Sequence, residues 1–168
     1  MKRPIGDIME TDVYTCHYKS TLEDVVRILV NKRVGGLTVI DDDRRVTGFI
    51  SDGDIMRAVA KQKTRSIYSG NDSVMVLYDA DTFEQKVAEF KKRSVMELAT
   101  RKVFCVMPNK PIDEVAEILS KKKFKKIPIV REDGTLLGVV RRATIMRYVF
   151  VTLFGVEPEP GEEQPEIK

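Results

Sequence analysis

Apolar positions recur along this chain in two alternating periods. Residues 22, 25, 26 and 29 are apolar, as are 112, 115, 116 and 119. Spacing of i, i+3, i+4, i+7 predicts two amphipathic helices, each burying one face. Ser20 and Glu23 stand at capping-box spacing before the first, and Pro111 suits the first turn of the second. A short β-rich run precedes each helix, Val13-Tyr14-Thr15-Cys16 and Val103-Phe104-Cys105-Val106. Two strands are expected after each helix, Leu37–Ile40 with Val46–Ile50 and Ile127–Val130 with Leu136–Val140. Polar turns, DDDRR and REDGT, join them. A further helix is expected from about Asp52 and from about Ala143, so the order β-α-β-β-α occurs twice.

The two copies keep a constant offset of 90 residues without a gap. Val13 falls on Val103, Val25 on Val115, Ile28-Leu29 on Ile118-Leu119, Gly48 on Gly138, and Ile55-Met56-Arg57 on Ile145-Met146-Arg147. That register marks a duplication. A copy of about 50 residues buries too little apolar surface to stand comfortably alone, so two copies are expected to pack face to face and share a core. The expected layout is a first repeat over 1–62, a partly helical connector over 63–93, a second repeat over 94–154, and an acidic, proline-rich tail over 155–168. In the connector, Ser69–Ser73 reads as loop and Thr82–Lys92 as helix. The tail has the composition of a disordered segment.

Charge changes the picture more than composition does. The net charge of the 168 residues is +3. Residues 91–150 hold 15 basic and 6 acidic side chains, whereas residues 1–90 hold 13 and 15. An anionic partner is therefore sought on the second half. No apolar run approaches the roughly 20 residues a spanning helix needs, and no apolar stretch follows the basic residues at the start. Two cysteines and one histidine make neither a disulfide framework nor a convincing zinc set. A cytoplasmic, reduced protein without membrane association is expected. Cys16 and Cys105 read as core residues, His17 as structural or surface, and Met56 and Met146 as core or interface filler.

Two such copies, each with a strand entering a Gly-h-h-polar turn before a helix, resemble tandem CBS domains, the cystathionine-β-synthase-type pair called a Bateman module. The resemblance rests on IGDIMETDVYT…TLEDVVRILVNKRVGGLTVIDDDRRVTGFISDGDIMRAV and on SVMELATRKVFCV…PIDEVAEILSKKKFKKIPIVREDGTLLGVVRRATIMRYV. It implies an α/β (α+β) fold of two pseudo-symmetric β-α-β-β-α repeats. It also implies adenosine ligands, AMP, ADP or ATP ahead of S-adenosylmethionine, held in clefts between the repeats. The family's ligand signature, Gly-h-h-Ser/Thr-x-x-Asp, is intact in the first copy as Gly48-Phe49-Ile50-Ser51-Asp52-Gly53-Asp54. In the second copy Arg141 replaces the hydroxyl and Thr144 the carboxylate. Carried over position by position, the resemblance adds Gly35, Gly36 and Leu37 from the first copy. From the second it adds Thr100, Lys102 and Phe104, then Phe124, Lys125 and Lys126. It further implies a homodimer.

The chemistry of Ser51 and Asp54 stands without the family. A carboxylate can accept both hydrogen bonds of a ribose diol, and a hydroxyl with free amides at a helix start suits a phosphate. The same two residues also make an ordinary helix cap that needs no ligand. Lysines can neutralise phosphate, and Lys121–Lys126 can equally be a solvated helix end. The favoured function is a non-catalytic sensor of adenosine nucleotides acting on an effector protein in trans. The alternative is a ligand-free dimerisation or protein-interaction module. Nucleic-acid binding is disfavoured because the basic run lacks interleaved aromatics. No nucleophile–base pair, metal set or P-loop is present in the sequence to suggest an enzyme.

Overall fold

A computed structural model of the chain describes residues 3–60, 64–69, 73–78, 82–122 and 124–156. The first copy contributes β1 (Thr15–His17), α1 (Leu22–Lys32), β2 (Gly36–Ile40), β3 (Val46–Ser51) and α2 (Asp52–Ala60). Between the copies lie β4 (Thr64–Ser69), β5 (Ser73–Tyr78) and α3 (Phe83–Lys91). The second copy supplies α4 (Ile112–Lys121), β6 (Lys126–Val130), β7 (Leu136–Arg141) and α5 (Arg142–Phe154). Strands β1, β2 and β3 form one sheet in that order, while β4 pairs with β5 and β6 with β7, both antiparallel.

The chain divides into two compact units. Unit 1 comprises Met1–Thr15, Ile40–Thr47 and Lys102–Lys168; unit 2 comprises Cys16–Val39 and Gly48–Arg101. Each has its own apolar core. In unit 2, Leu22, Val25 and Leu29 of α1 bury the predicted stripe against Leu37, Val39, Ile50, Phe90 and Val95. In unit 1, Ile112, Val115 and Leu119 of α4 do the same against Ile127, Ile129, Val140 and Ile145. Ile5 and Ile8, on a short 3₁₀ turn near the start of the chain, complete that core. The Ile5 amide donates to the Lys110 carbonyl at 2.8 Å, and the Gly6 amide to that of Pro108 at 2.8 Å.

Caps explain where the helices begin. Thr21, in extended backbone, accepts from the Asp24 amide, and Asp24 accepts in return from the Thr21 amide at 2.9 Å. This capping box lies one residue beyond the Ser20–Glu23 pair expected from spacing. Thr82 with Gln85 caps α3, close to the expected Thr82–Lys92 helix. Pro111 is the N-cap of α4 rather than a residue of its first turn.

The connector departs from expectation. Its Thr64–Ser69 and Ser73–Tyr78 segments form an antiparallel hairpin in which Ser69 faces Ser73 and Thr64 faces Tyr78. Ser69 and Ser73, the two ends of the stretch expected as loop, are the last pair of that ladder, and residues 70–72 lie outside the described ones. The β-rich run at 103–106 gives only an isolated bridge, Val106 with Ile129. Met56 and Met146 are exposed rather than core, while Cys16 is buried and Cys105 half-buried. The tail expected over 155–168 lies beyond the described residues from 157 onward.

Candidate functional site at the start of α2

Strand β3 runs straight into α2, so the backbone turns from extended to helical at Ser51 and Asp52. The first amides of such a helix have no partner within it. Ser51 and Asp54 meet this need reciprocally. Asp54 Oδ2 accepts from the Ser51 amide at 2.8 Å and from Ser51 Oγ at 2.6 Å, and Ser51 Oγ accepts from the Asp54 amide at 3.3 Å. The cap reading is therefore realised in the geometry. The second carboxylate oxygen, Oδ1, accepts from Arg57 one turn on. Asp54 is 19% exposed at its side chain and Arg57 73%.

The end of α1 and the entry to β2 lie beside this cap. The Gly35 carbonyl accepts from the Asp52 amide at 3.1 Å. A side chain at Gly35 would come 3.3 Å from the Asp52 carboxylate. A Cβ at Gly36 would stand 2.9 Å from the Phe49 ring and 3.0 Å from the Ile50 carbonyl oxygen. The bareness of Gly36 thus accommodates the protein's own aromatic ring. Leu37 buries its side chain in the unit 2 core, leaving only its backbone to any ligand. Thr100 pairs with Phe49 through both backbone bonds, 2.8 and 2.9 Å, which sets its exposed side chain on the segment bridged to β3. Unit 2 therefore brings Ser51, Asp54, Gly35, Gly36, Leu37 and Thr100 into one neighbourhood.

The other predicted residues belong to unit 1. Phe104 and Phe124, both exposed, stack with ring centroids 5.9 Å apart and planes at 21°. Lys102 and Lys125 are exposed, and the Lys125 carbonyl accepts from the Arg142 amide at 3.0 Å. Lys126 is half-buried opposite Arg141 in the β6–β7 ladder. Burial chiefly, and then the Arg141 charge, lower its pKa, with Glu10 partly offsetting them.

Three residues at these positions escaped the sequence reading. Arg57 holds the carboxylate oxygen that the cap leaves over. Thr38 is 1% exposed, and its hydroxyl has no hydrogen-bond partner among the described residues. Strand alternation puts it on the Gly36 face of β2, opposite Leu37 and Val39. Glu10, in unit 1, accepts from Arg141 Nε at 2.6 Å and from Thr144 Oγ1 at 2.8 Å. Among the described residues no cluster of three or more His, Cys, Asp or Glu is placed to hold a metal, and no helix is long and apolar enough to cross a membrane.

A duplicated strand–helix architecture with a Ser-x-x-Asp cap at a β–α junction defines a class of paired α/β repeat modules. The CBS domain model matches residues 5–61 and 95–151, and the chain belongs to that family as a tandem pair. Among curated relatives, protein MJ1426 of Methanocaldococcus jannaschii is 27% identical over 84% of this chain and 88% of its own length. The chloroplastic CBS domain-containing protein CBSX2 of Arabidopsis thaliana is 25% identical over 85% of this chain, which spans only 62% of that relative's length. A homoserine O-acetyltransferase of Methanohalophilus mahii matches 86% of this chain at 23% identity, over 24% of its own length. Among solved structures, CBSX2 in complex with AMP superposes with a TM-score of 0.68 at 23% identity, covering 90% of this chain and 98% of that one. The CBS domain pair of protein MJ0100, in complex with 5′-methylthioadenosine and S-adenosyl-L-methionine, gives 0.64 at 22% identity, covering 92% and 98%.

Proposed function

We propose that this chain is a regulatory module that binds an adenosine compound through the cap of α2, Asp54 holding the ribose diol. The observation that carries this is the division of labour between the two oxygens of Asp54. Oδ2 is committed to Ser51, whereas Oδ1 is held by an exposed arginine at the surface. A surface ion pair of this kind contributes only about 0–1 kcal/mol, so a sugar hydroxyl can replace Arg57 without dismantling the cap. Ser51 Oγ, hydrogen-bonded to the carboxylate, and the positive end of the α2 dipole would favour a phosphate here. It would come in exchange for the acceptors that now hold the first amides: the Gly35 carbonyl for Asp52, the Asp52 carboxylate for Gly53 and Ser51 Oγ for Asp54. Gly35 and the Gly36–Leu37 backbone flank this position, and Thr100 adds a hydroxyl. AMP in one solved CBS pair, and methylthioadenosine with S-adenosylmethionine in another, support adenosine as the common ligand element. Lys102, Lys125 and Lys126, with Phe104 and Phe124, remain proposed contributors to phosphate and base, and the sugar assignment does not depend on them.

A ligand shifts such a module only by binding its two arrangements unequally, and the change is proposed to act on an effector protein in trans. The homodimer and the cytoplasmic location belong to the same proposal.

A second reading has its own support. Every hydrogen bond of the Ser51–Asp54 pair is accounted for as a helix cap, and α5 exposes Phe150, Val151, Leu153 and Phe154. A ligand-free module that pairs with another protein would show both features. The thermal midpoint with and without millimolar AMP, ADP, ATP or S-adenosylmethionine separates the two. Under the sensor reading at least one of them raises the midpoint, because it binds the native state. No rise with any of the four, in a folded and associated protein, selects the interaction module.

A further inference from the structure

The offset of 90 residues sets the neighbourhood of Asp54 against an equivalent one in unit 1. Ser51 corresponds to Arg141, Asp54 to Thr144, and Thr100 to Glu10. The backbone obeys the same rule. Glu10 pairs with Val139 through bonds of 2.8 and 2.9 Å, as Thr100 pairs with Phe49. Gly138 permits the approach, since a Cβ there would lie 2.5 Å from the Glu10 carbonyl oxygen. Scaffold is thus conserved between the units while the chemistry is exchanged. In unit 2 the helix carries the acid and the bridging segment the hydroxyl. In unit 1 the helix carries the hydroxyl and the bridging segment the acid.

That exchange alters what the carboxylate is free to do. Asp54 spends one oxygen on its own helix cap and leaves the other to an exposed arginine. Glu10, 17% exposed, has one oxygen shared by a guanidinium from the end of β7 and a hydroxyl from α5. Three separate segments of unit 1 converge on that group, so handing it to a sugar would break a charge-assisted bond and orphan two donors.

We infer that Glu10, Arg141 and Thr144 form a clasp that closes the second repeat's equivalent of the Asp54 position, so each chain binds one adenosine ligand rather than two. The inference rests on the adenosine reading above. Its structural content is separate: the sugar position of unit 1 is filled by the chain's own side chains.

Isothermal titration of the full chain with AMP and with ATP, counting ligands per chain, tests it. The wild type is expected to bind one. Asp54→Ala is expected to lose it, and Thr144→Ala to keep it with affinity within about twofold. A folded E10T/R141S/T144D variant, which writes the first repeat's residue types into the second, is expected to gain a second ligand. Two ligands on the wild type, or one retained by Asp54→Ala and lost from Thr144→Ala, overturns the clasp and leaves adenosine binding standing. A triple variant with an unchanged thermal transition that still binds one also overturns it. Should the triple variant not fold, the counts on the wild type and the two single variants decide. No ligand on any form sinks the adenosine reading, and the inference with it.

Discussion

Asp54 and Glu10 are both carboxylates beside a β–α junction, one in each unit, and they are held in opposite ways. Asp54 is bonded within four residues of itself, by Ser51 on one side and Arg57 on the other. Glu10 is bonded across 131 and 134 residues of sequence, by Arg141 and Thr144. A locally capped acid can keep its structural partner and still trade its surface partner for a ligand, as proposed for Asp54. An acid tied to distant segments is part of the framework and has nothing to trade. Duplication thus yields two positions with one scaffold and different fates, decided by which element carries the acid.

The largest effect expected from breaking this comparison is on ligand affinity. Asp54→Ala removes the acceptor for the sugar, and each lost charge-assisted hydrogen bond is worth about 1.5–3 kcal/mol. Two of them correspond to a loss of roughly 10²–10⁴ in affinity for AMP or ATP, read by titration calorimetry. The same substitution costs the fold about 1 kcal/mol through the lost cap, so binding falls far more than stability. Equal losses of affinity from Asp54→Ala and Thr144→Ala would contradict the assignment of the sugar to unit 2.

Glu10→Ala should show the reverse ratio. It leaves the Arg141 guanidinium and the Thr144 hydroxyl without their acceptor, which costs about 1–3 kcal/mol, toward the lower end because Arg141 is half-exposed. Urea unfolding is expected to shift to a lower midpoint with little change in slope, and an unchanged midpoint would show that the clasp holds nothing.

Arg57→Ala sharpens the contrast on the unit 2 side. If the guanidinium only occupies Asp54 until a ligand arrives, its removal frees the acceptor. An exposed pair is worth about 0.2–1 kcal/mol, so uncharged adenosine should bind up to about fivefold tighter. Weaker adenosine binding would instead make Arg57 a direct ligand contact.

These positions were unequally legible in the sequence, for physical reasons. The helices α1 and α4 declare themselves because their cores need a regular stripe, and the duplicated register carries the strands with them. Ser51 and Asp54 were legible because a cap is a local motif, written in four consecutive residues. Glu10 was not, because nothing near it in sequence announces a partner more than a hundred residues away. Its one trace was the repeat offset: aligning it with Thr100 exposes an acid where the other copy has a hydroxyl. The hairpin of β4 and β5 was missed for another reason. Ser69–Ser73 reads as loop, and the β-rich segments on both sides of it are the ordinary flanks of a hairpin, a pattern that needs both segments read together. Leu37 shows the reverse limit: its buried side chain belongs to the unit 2 core, so position alone leaves it only a backbone role at the proposed ligand.

Each unit also holds one thiol, and at neutral pH, below both thiol pKa values, the pair offers the smallest expected effect. Burial pushes the Cys16 thiol in unit 2 up to about 12, and it also raises that of half-buried Cys105 in unit 1. A raised thiol pKa means that between about pH 9 and pH 12 the native state keeps a proton the unfolded chain has released. Stability therefore stays level below that window and falls as pH rises through it. Cys16→Ala should lessen the alkaline decline in urea midpoint, and Cys105→Ala should lessen it by a smaller amount. At neutral pH the native thiols should react slowly with iodoacetamide, because the thiolate is the nucleophile, and Cys16 should be the slower. Rapid alkylation of Cys16 in the folded chain would show that unit 2 opens locally, and with it the core on which the Ser51–Asp54 cap is built.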